Sequence, residues 1–342
     1  MRIESGRSTG YSALFITGRL ALLLVAAAAT AVDGYGAAPP WKPEKPVEFI
    51  VPDSPGGGQD RTVRFIQKFM QDGGVLTTPV NIVNRPGGSG NLAYTYLSQF
   101  TGDGHYLAIA TATLLTNHIL GLSPFSYADF TPAGVLYGEH IGFAVSAGGP
   151  IKSGRDLIER VRKNPESVSF AFGTSRGNAN HIAVALVMKA AGVDVSKLKV
   201  VIYKASIDAT TALMGGHVDV VATPASTFVP VIASGKVRVI AIAAPRRTTG
   251  QLASVPTWQE QGLNVVASGY RMFIAPKGLN AGHIAFWDNA LTRLSRSEAW
   301  RKELEANEWQ DSYMNSADSR KYLDARYEEY RGILVELGLA KK

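Results

Sequence analysis

The sequence predicts an α/β protein of two lobes, each a mostly parallel sheet flanked by helices, on three observations. From residue 41 onward, short runs rich in Val and Ile alternate with longer amphipathic stretches, the rhythm of parallel strands joined by covering helices. Two extended segments, 141–146 running into Ala147, Gly148, Gly149 and Pro150, and 268–275 running into Pro276, read as crossings between lobes. Glycine-rich turns follow several strands, and the 35 glycines and 17 prolines fall between the periodic segments, so they mark turns and not disorder. A length of 342 residues, 46% hydrophobic, is enough for two folding units.

In order, strands are expected at 47–52, 80–84, 106–110, 168–172, 199–203, 218–222 and 237–243, besides the two crossings. Helices are expected at 61–72, 91–100, 153–163, 180–191, 207–215, 281–294 and 317–337. If both crossings pass between lobes, the first lobe takes 42–146 plus 269–342 and the second takes 147–268. Trp258, Trp287, Trp300 and Trp309 fall mostly on amphipathic helical stretches and read as core. Tyr137, Phe143, Tyr203 and Tyr270 lie nearer strand ends and crossings, where one could pack on a ligand.

Ahead of this lies a secretory signal: Arg2, Arg7 and Arg19 precede an apolar run from Leu20 to Ala29, followed by Thr30 and Ala31, a small-residue cleavage pattern. The run is shorter than the roughly 20 residues a membrane helix needs. Removing residues 1–31 takes away three basic residues and one acidic residue, so the formal charge falls from +7 to +5. The basic residues are scattered, which argues against nucleic acid. There is no cysteine, so a lipoprotein anchor, a disulfide and a thiolate site are all excluded. The expectation is a soluble, exported, monomeric protein of the periplasm without a cofactor.

The most informative turns are three. Pro52, Asp53, Ser54, Pro55, Gly56, Gly57, Gly58, Gln59 and Asp60 join a strand to a helix; glycines there let successive backbone N–H groups point into one concavity, with the helix N-terminus behind them. Asp60 stands where an N-cap is expected. A second turn carries Gly87, Gly88, Ser89 and Gly90; a third carries Gly173, Thr174, Ser175, Arg176, Gly177 and Asn178, and opens the helix with His181. All lie at carboxyl ends of predicted parallel strands, as do Thr111 and Tyr203, and ligands bind there. The turns lack the nucleotide signatures G-x-G-x-x-G and G-x-x-x-x-G-K-[ST]. The prediction is an anion cleft lined by backbone amides, in which Arg176 could pair with a ligand carboxylate while Asp53 and Asp60 would repel one, favouring a ligand with an anionic end and a donor end.

From Trp41 to the C-terminus the chain resembles the Bug family, the TctC-like receptors of tripartite tricarboxylate transporters. The stretch 46–52 with Pro55, Gly56, Gly57 and Asp60 is similar to that family's opening strand and P-G-G-x-x-D turn, and 84–91 to its N-R-P-G-x-x-G-N turn. Asp103 to Tyr106, Gly173 to Ser175, His181, Tyr203 with Lys204, 213–218 and 234–238 follow in the expected order. The resemblance implies a Venus flytrap fold that closes on a small carboxylate through backbone amides, hydroxyls and water, and hands it to membrane subunits. The chain departs at Asp53, where the family usually has an aromatic or apolar residue, and at Ala205 and Asp208, where glycine and proline are common.

Two other readings compete. The same closure could signal to a membrane kinase. Gly173-Thr174-Ser175-Arg176-Gly177 also reads G-x-S-x-G, with Asp219 and His283 downstream in hydrolase order, although Asn178, Ala179 and Asn180 separate it from the helix that a nucleophile elbow enters directly. None of the six histidines forms a metal pair with nearby acids.

Overall fold

The computed structural model describes residues 40–340. The signal segment expected at 1–31 lies outside the described residues.

Ten strands form one mixed sheet in the order β2-β1-β3-β9-β4-β7-β5-β6, with β10 and β8 also on β4. The first part holds β1 (Val47–Val51), β2 (Val80–Asn84) and β3 (Tyr106–Ala110), all parallel. The second holds β5 (Ser169–Gly173), β6 (Lys199–Tyr203) and β7 (Val220–Pro224), again parallel, and β8 (Val237–Ile242). Joining them are β4 (Phe130–Ser146) and β9 (Ser268–Pro276), with β10 (Gln310–Met314) on β4. Both expected parallel sets are present, and the crossing strands add antiparallel pairs to them. A strand that leaves one part and returns to the other runs against its neighbours, so β4 is antiparallel to β7, β8, β9 and β10, and β9 to β3.

The strand expected at 141–146 begins eleven residues earlier, at Phe130. Nearly every residue of β4 is buried on both faces, so it shows no period-two pattern to mark its start. It pairs with β9 up to His140 and with β7 from Ile141, so the passage between the two parts lies inside the strand.

The helices are α1 (Gly58–Asp72), α2 (Asn91–Leu97), α3 (Thr113–Ile119), α4 (Gly154–Lys163), α5 (Ala179–Ala190), α6 (Ser206–Met214), α7 (Val229–Ile232), α8 (Ala281–Ser295), α9 (Glu298–Ala306) and α10 (Ser316–Glu336). One apolar cluster packs α1, α8 and α9 on the first part through Val63, Ile66, Trp287 and Trp300. Another packs α4 and α5 on the second through Leu157, Val184 and Trp258. A third joins the parts, with Ile182 and Ala185 of α5 against Leu115 of α3 and Leu334 of α10. Trp258, Trp287 and Trp300 are core, and Trp309 stacks on Tyr137 with ring centres 3.9 Å apart. Tyr137, Phe143 and Tyr270 are core too, leaving Tyr203 half-buried.

Candidate functional site

Strand register decides which way the turns open. Ala110, the last residue of β3, pairs with Met272, so β9 residues before 272 lie beyond the carboxyl ends of β1 and β3. Pro224, the last residue of β7, pairs with Ile141. The carboxyl ends of both parallel sets therefore point at one short stretch of crossing strands, 138–141 and 268–271. The turns after β1, β2, β3, β5 and β6 open toward that side of the sheet, with β2 and β6 at its outer edges.

In the first turn Gly56 has φ +82°, a left-handed conformation that costs glycine little. The N-cap of α1 is Gly57, so Asp60 is its third residue and not the expected cap. Its fully buried carboxylate accepts hydrogen bonds from Gly56 N–H at 2.8 Å, Arg64 Nε at 2.8 Å and Asn84 Nδ2 at 2.9 Å. Burial alone would raise its pKa, but these three donors outweigh it and hold the carboxyl below the usual range. Asp60 thus ties the first turn to the end of β2. Asp60→Ala removes three hydrogen bonds to a buried carboxylate, so it should cost about 2–4 kcal/mol in urea unfolding, and a loss under about 1 kcal/mol would remove Asp60 from this role.

Asp53 behaves differently. Its Oδ1 accepts from Ser54 N–H at 2.9 Å and its Oδ2 from Gln59 N–H at 3.4 Å, and the carboxylate lies so close on Gly57 that a Cβ built there would sit 2.0 Å from Oδ2. A carboxylate of the chain itself occupies the amide concavity at the start of α1. Ser54, Gly56 and Gly58 remain exposed around it.

In the second turn Gly88 (φ +56°) is exposed and Ser89 (φ +53°) half-buried, and the Ser89 carbonyl accepts from Asn117 Nδ2 at 3.1 Å. Thr111 Oγ1 lies 3.0 Å from Thr113 Oγ1 and accepts from Thr113 N–H at 3.3 Å, which shapes the turn after β3.

The third turn is held from inside. Asn178 caps α5 by accepting from His181 N–H at 3.0 Å, and its Nδ2 donates to the Gly173 carbonyl at 2.6 Å and to Thr174 Oγ1 at 2.7 Å. His181 is buried, stacks on Phe172 and accepts from Gly177 N–H through Nδ1 at 3.0 Å. Burial, assisted by the positive Arg176, pushes its pKa down to about 4. Asn178 and His181 therefore build the turn, while Thr174 and Arg176 are exposed and Ser175 half-buried on its outer side. Thr174 has φ +76°, which a β-branched residue adopts only under constraint. Its N–H donates to the Tyr203 carbonyl at 2.9 Å, fastening the third turn to the end of β6. Beyond Tyr203, Asp208 is an exposed residue of the first turn of α6 and accepts from Ala205 N–H at 3.1 Å.

The hydrolase arrangement does not assemble. Asp219 accepts from Ser169 N–H at 2.8 Å and Ser169 Oγ at 2.6 Å, at the opposite end of β5 from Ser175, about 13 Å away along a strand. His283 packs on Trp41 at the start of α8, and the strained residue is Thr174 and not Ser175.

The crossing strands add two charged residues that the sequence reading missed, Glu139 of β4 and Arg271 of β9, whose Oε2 and Nη2 are 2.8 Å apart. Burial acts to lower the Arg271 pKa, but Glu139, then Tyr137, Asp53 and Tyr94, outweigh it and keep the guanidinium charged. Tyr137 Oη lies 2.9 Å from Thr62 Oγ1, joining α1 to the same stretch. The one available signal was a lone charge inside each of two apolar strands.

A family model described as "Tripartite tricarboxylate transporter family receptor" (TctC) matches residues 63–339. The chain is 27% identical over 322 residues to the UPF0065 protein in gbd 5'region of Cupriavidus necator, covering 92% of this chain and 96% of that one. It is 26% identical over 307 residues to the protein BugT of Bordetella pertussis, covering 88% and 91%. Solved folds that it resembles include the periplasmic binding protein BugD (TM-score 0.73, 22% identity, 88% of this chain and 100% of that one). A Rhodopseudomonas palustris protein solved with adipate gives TM-score 0.76 at 22% identity, covering 87% and 99%, and MatC of the same organism, solved with malate, gives 0.72 at 22%, covering 86% and 100%. With both sets of turns opening toward one crossing stretch of a two-part mixed sheet and a family match over most of its length, the chain belongs to the tripartite tricarboxylate transporter receptor family and is a solute-binding receptor, not an enzyme.

Proposed function

We propose that the protein works in the periplasm, captures a small carboxylate between two lobes and delivers it to the membrane subunits of a tripartite tricarboxylate-type transporter. The observation that carries this is that the turns at the carboxyl ends of both parallel sets open toward one crossing stretch, 138–141 and 268–271, which holds the buried Glu139–Arg271 pair, while Thr174 and Arg176 of the third turn are exposed. The malate and adipate of the solved relatives support a carboxylate as cargo. The lobes are taken as 42–146 plus 269–342 and 147–268, with β4 and β9 bending as the hinge. Receptors of this kind bind only when folded, so a ligand at about 100 times its Kd should stabilise by about 2.7 kcal/mol. A thermal-shift screen over mono-, di- and tricarboxylates should find such a ligand, and small-angle scattering should then show a smaller radius of gyration. A flat screen would overturn the proposal, and binding without contraction would overturn the hinge.

A further inference from the structure

We propose that the ligand carries a single carboxylate, taken by Arg271, with a hydrogen-bond donor at its other end, because Asp53 fills the first-turn site with a carboxylate of the chain's own. The inference rests on the receptor reading and names the ligand class for that same site.

Arg271 and Glu139 lie on the crossing strands at the stretch toward which both sets of turns open, with side chains only 18% and 8% exposed. A guanidinium offers five N–H donors in a planar fork. Here Nη1 donates to the Tyr270 carbonyl at 3.2 Å and Nη2 faces Glu139 at 2.8 Å, while Nε is buried with no partner among the described residues. Gly269 stands between this fork and the start of α5: a Cβ placed on it would lie 4.0 Å from Nη1 and 3.6 Å from Ala179 Cβ. Donors left unspent in a nearly enclosed place are costly unless something completes them. A carboxylate fits the fork in two-point geometry, and Glu139 balances its charge at 2.8 Å while making no hydrogen bond that would use the donors.

At the first turn the situation is reversed. The amides of Ser54 and Gln59 and the surface of Gly57 hold the Asp53 carboxylate, where a second ligand carboxylate would otherwise be held. A diacid spanning from Arg271 to this turn would set two like charges together in a poorly solvated place. A hydroxyl or ammonium there would donate to Asp53 instead.

Calorimetry with matched probes tests this: succinate, glutarate and adipate against the 4-amino, 5-amino and 6-amino acids, and the hydroxy acids, of the same chain lengths. At the best chain length the protein should bind the amino or hydroxy acid at least ten-fold more tightly than the diacid. Asp53→Ala should reverse that order, a change that a merely structural role would not produce. Replacing Arg271 and Glu139 together by Gln, which leaves no buried charge behind, should weaken every acid at least 100-fold, and Arg271→Lys at least ten-fold. A wild-type protein that binds diacids as tightly as amino or hydroxy acids would overturn the proposal and leave the receptor reading standing. So would a double variant that binds within two-fold of wild type. Silence toward every acid would reject the receptor reading itself.

Discussion

Gly173→Ala should unfold the protein at markedly lower urea and abolish ligand capture, although it adds one methyl group. A Cβ on Gly173 would stand 2.2 Å from Ser206 N, 2.4 Å from the Ala205 carbonyl carbon and 2.9 Å from its oxygen. All three are backbone atoms of the segment that starts α6, so no side chain can swing away. The closeness follows from register: Gly173 pairs with Tyr203 at the last rung of β5 and β6, where Thr174 N–H also donates to the Tyr203 carbonyl. Room for a methyl group requires the third turn and the start of α6 to separate, which breaks that bond and strains the one from Asn178 to the Gly173 carbonyl. Overpacking of this kind costs about 1–3 kcal/mol and a lost hydrogen bond about 1 kcal/mol more, so about 3 kcal/mol is expected. Gly148→Ala is the control, since nothing lies within 4 Å of a Cβ there, and it should stay within about 0.5 kcal/mol of wild type. Equal urea midpoints for the two variants would dismiss this account.

Which features could be read from the sequence depended on whether their cause was local. Strand ends followed by glycine turns are local, and the turns after β1, β2 and β5 lie where the sequence placed them. The role of Asp60 was misread because capping preferences favour Asp before a helix, whereas α1 starts three residues earlier than expected and Asp53 reaches its amides from outside. Asn178 as the cap of α5 and His181 bonded to its own turn are likewise local arrangements. Glu139 and Arg271 are 132 residues apart, and only the antiparallel pairing of β4 with β9 makes them partners. The helix α9 was missed because it is mostly charged and buries only Trp300 and Leu304, and β10 because it shows no alternation.

Acid should destabilise the protein between pH 6.5 and 4, before its ion-paired carboxylates take up protons. His181 and His140 are the main cause, with His283 lowered by burial in the same sense: burial pushes the first two imidazoles down to about 4, opposed at His140 by a hydrogen bond with the Ala243 backbone and reinforced at His181 by Arg176. An unfolded histidine titrates near 6.5, so in this window the unfolded chain binds more protons than the folded one, and stability falls as pH falls. The stability is fully present above pH 6.5, declines by up to about 1.4 kcal/mol per pH unit for each histidine, and stops declining below about pH 4. Asp60, Asp103 and Asp129 are held below the usual carboxylate range, so their loss comes later, at lower pH. Burial raises Asp288 and Glu308, whose protonation favours the folded chain and eases the slope near its acid end. Urea unfolding at pH 7.0, 5.5 and 4.5 measures the slope. His181→Asn, whose Oδ1 can accept from Gly177 N–H where Nδ1 does now, should remove about half of it, whatever the variant's stability at pH 7. A wild-type slope near zero, or an unchanged slope in His181→Asn, would show that the third turn does not depend on a neutral imidazole.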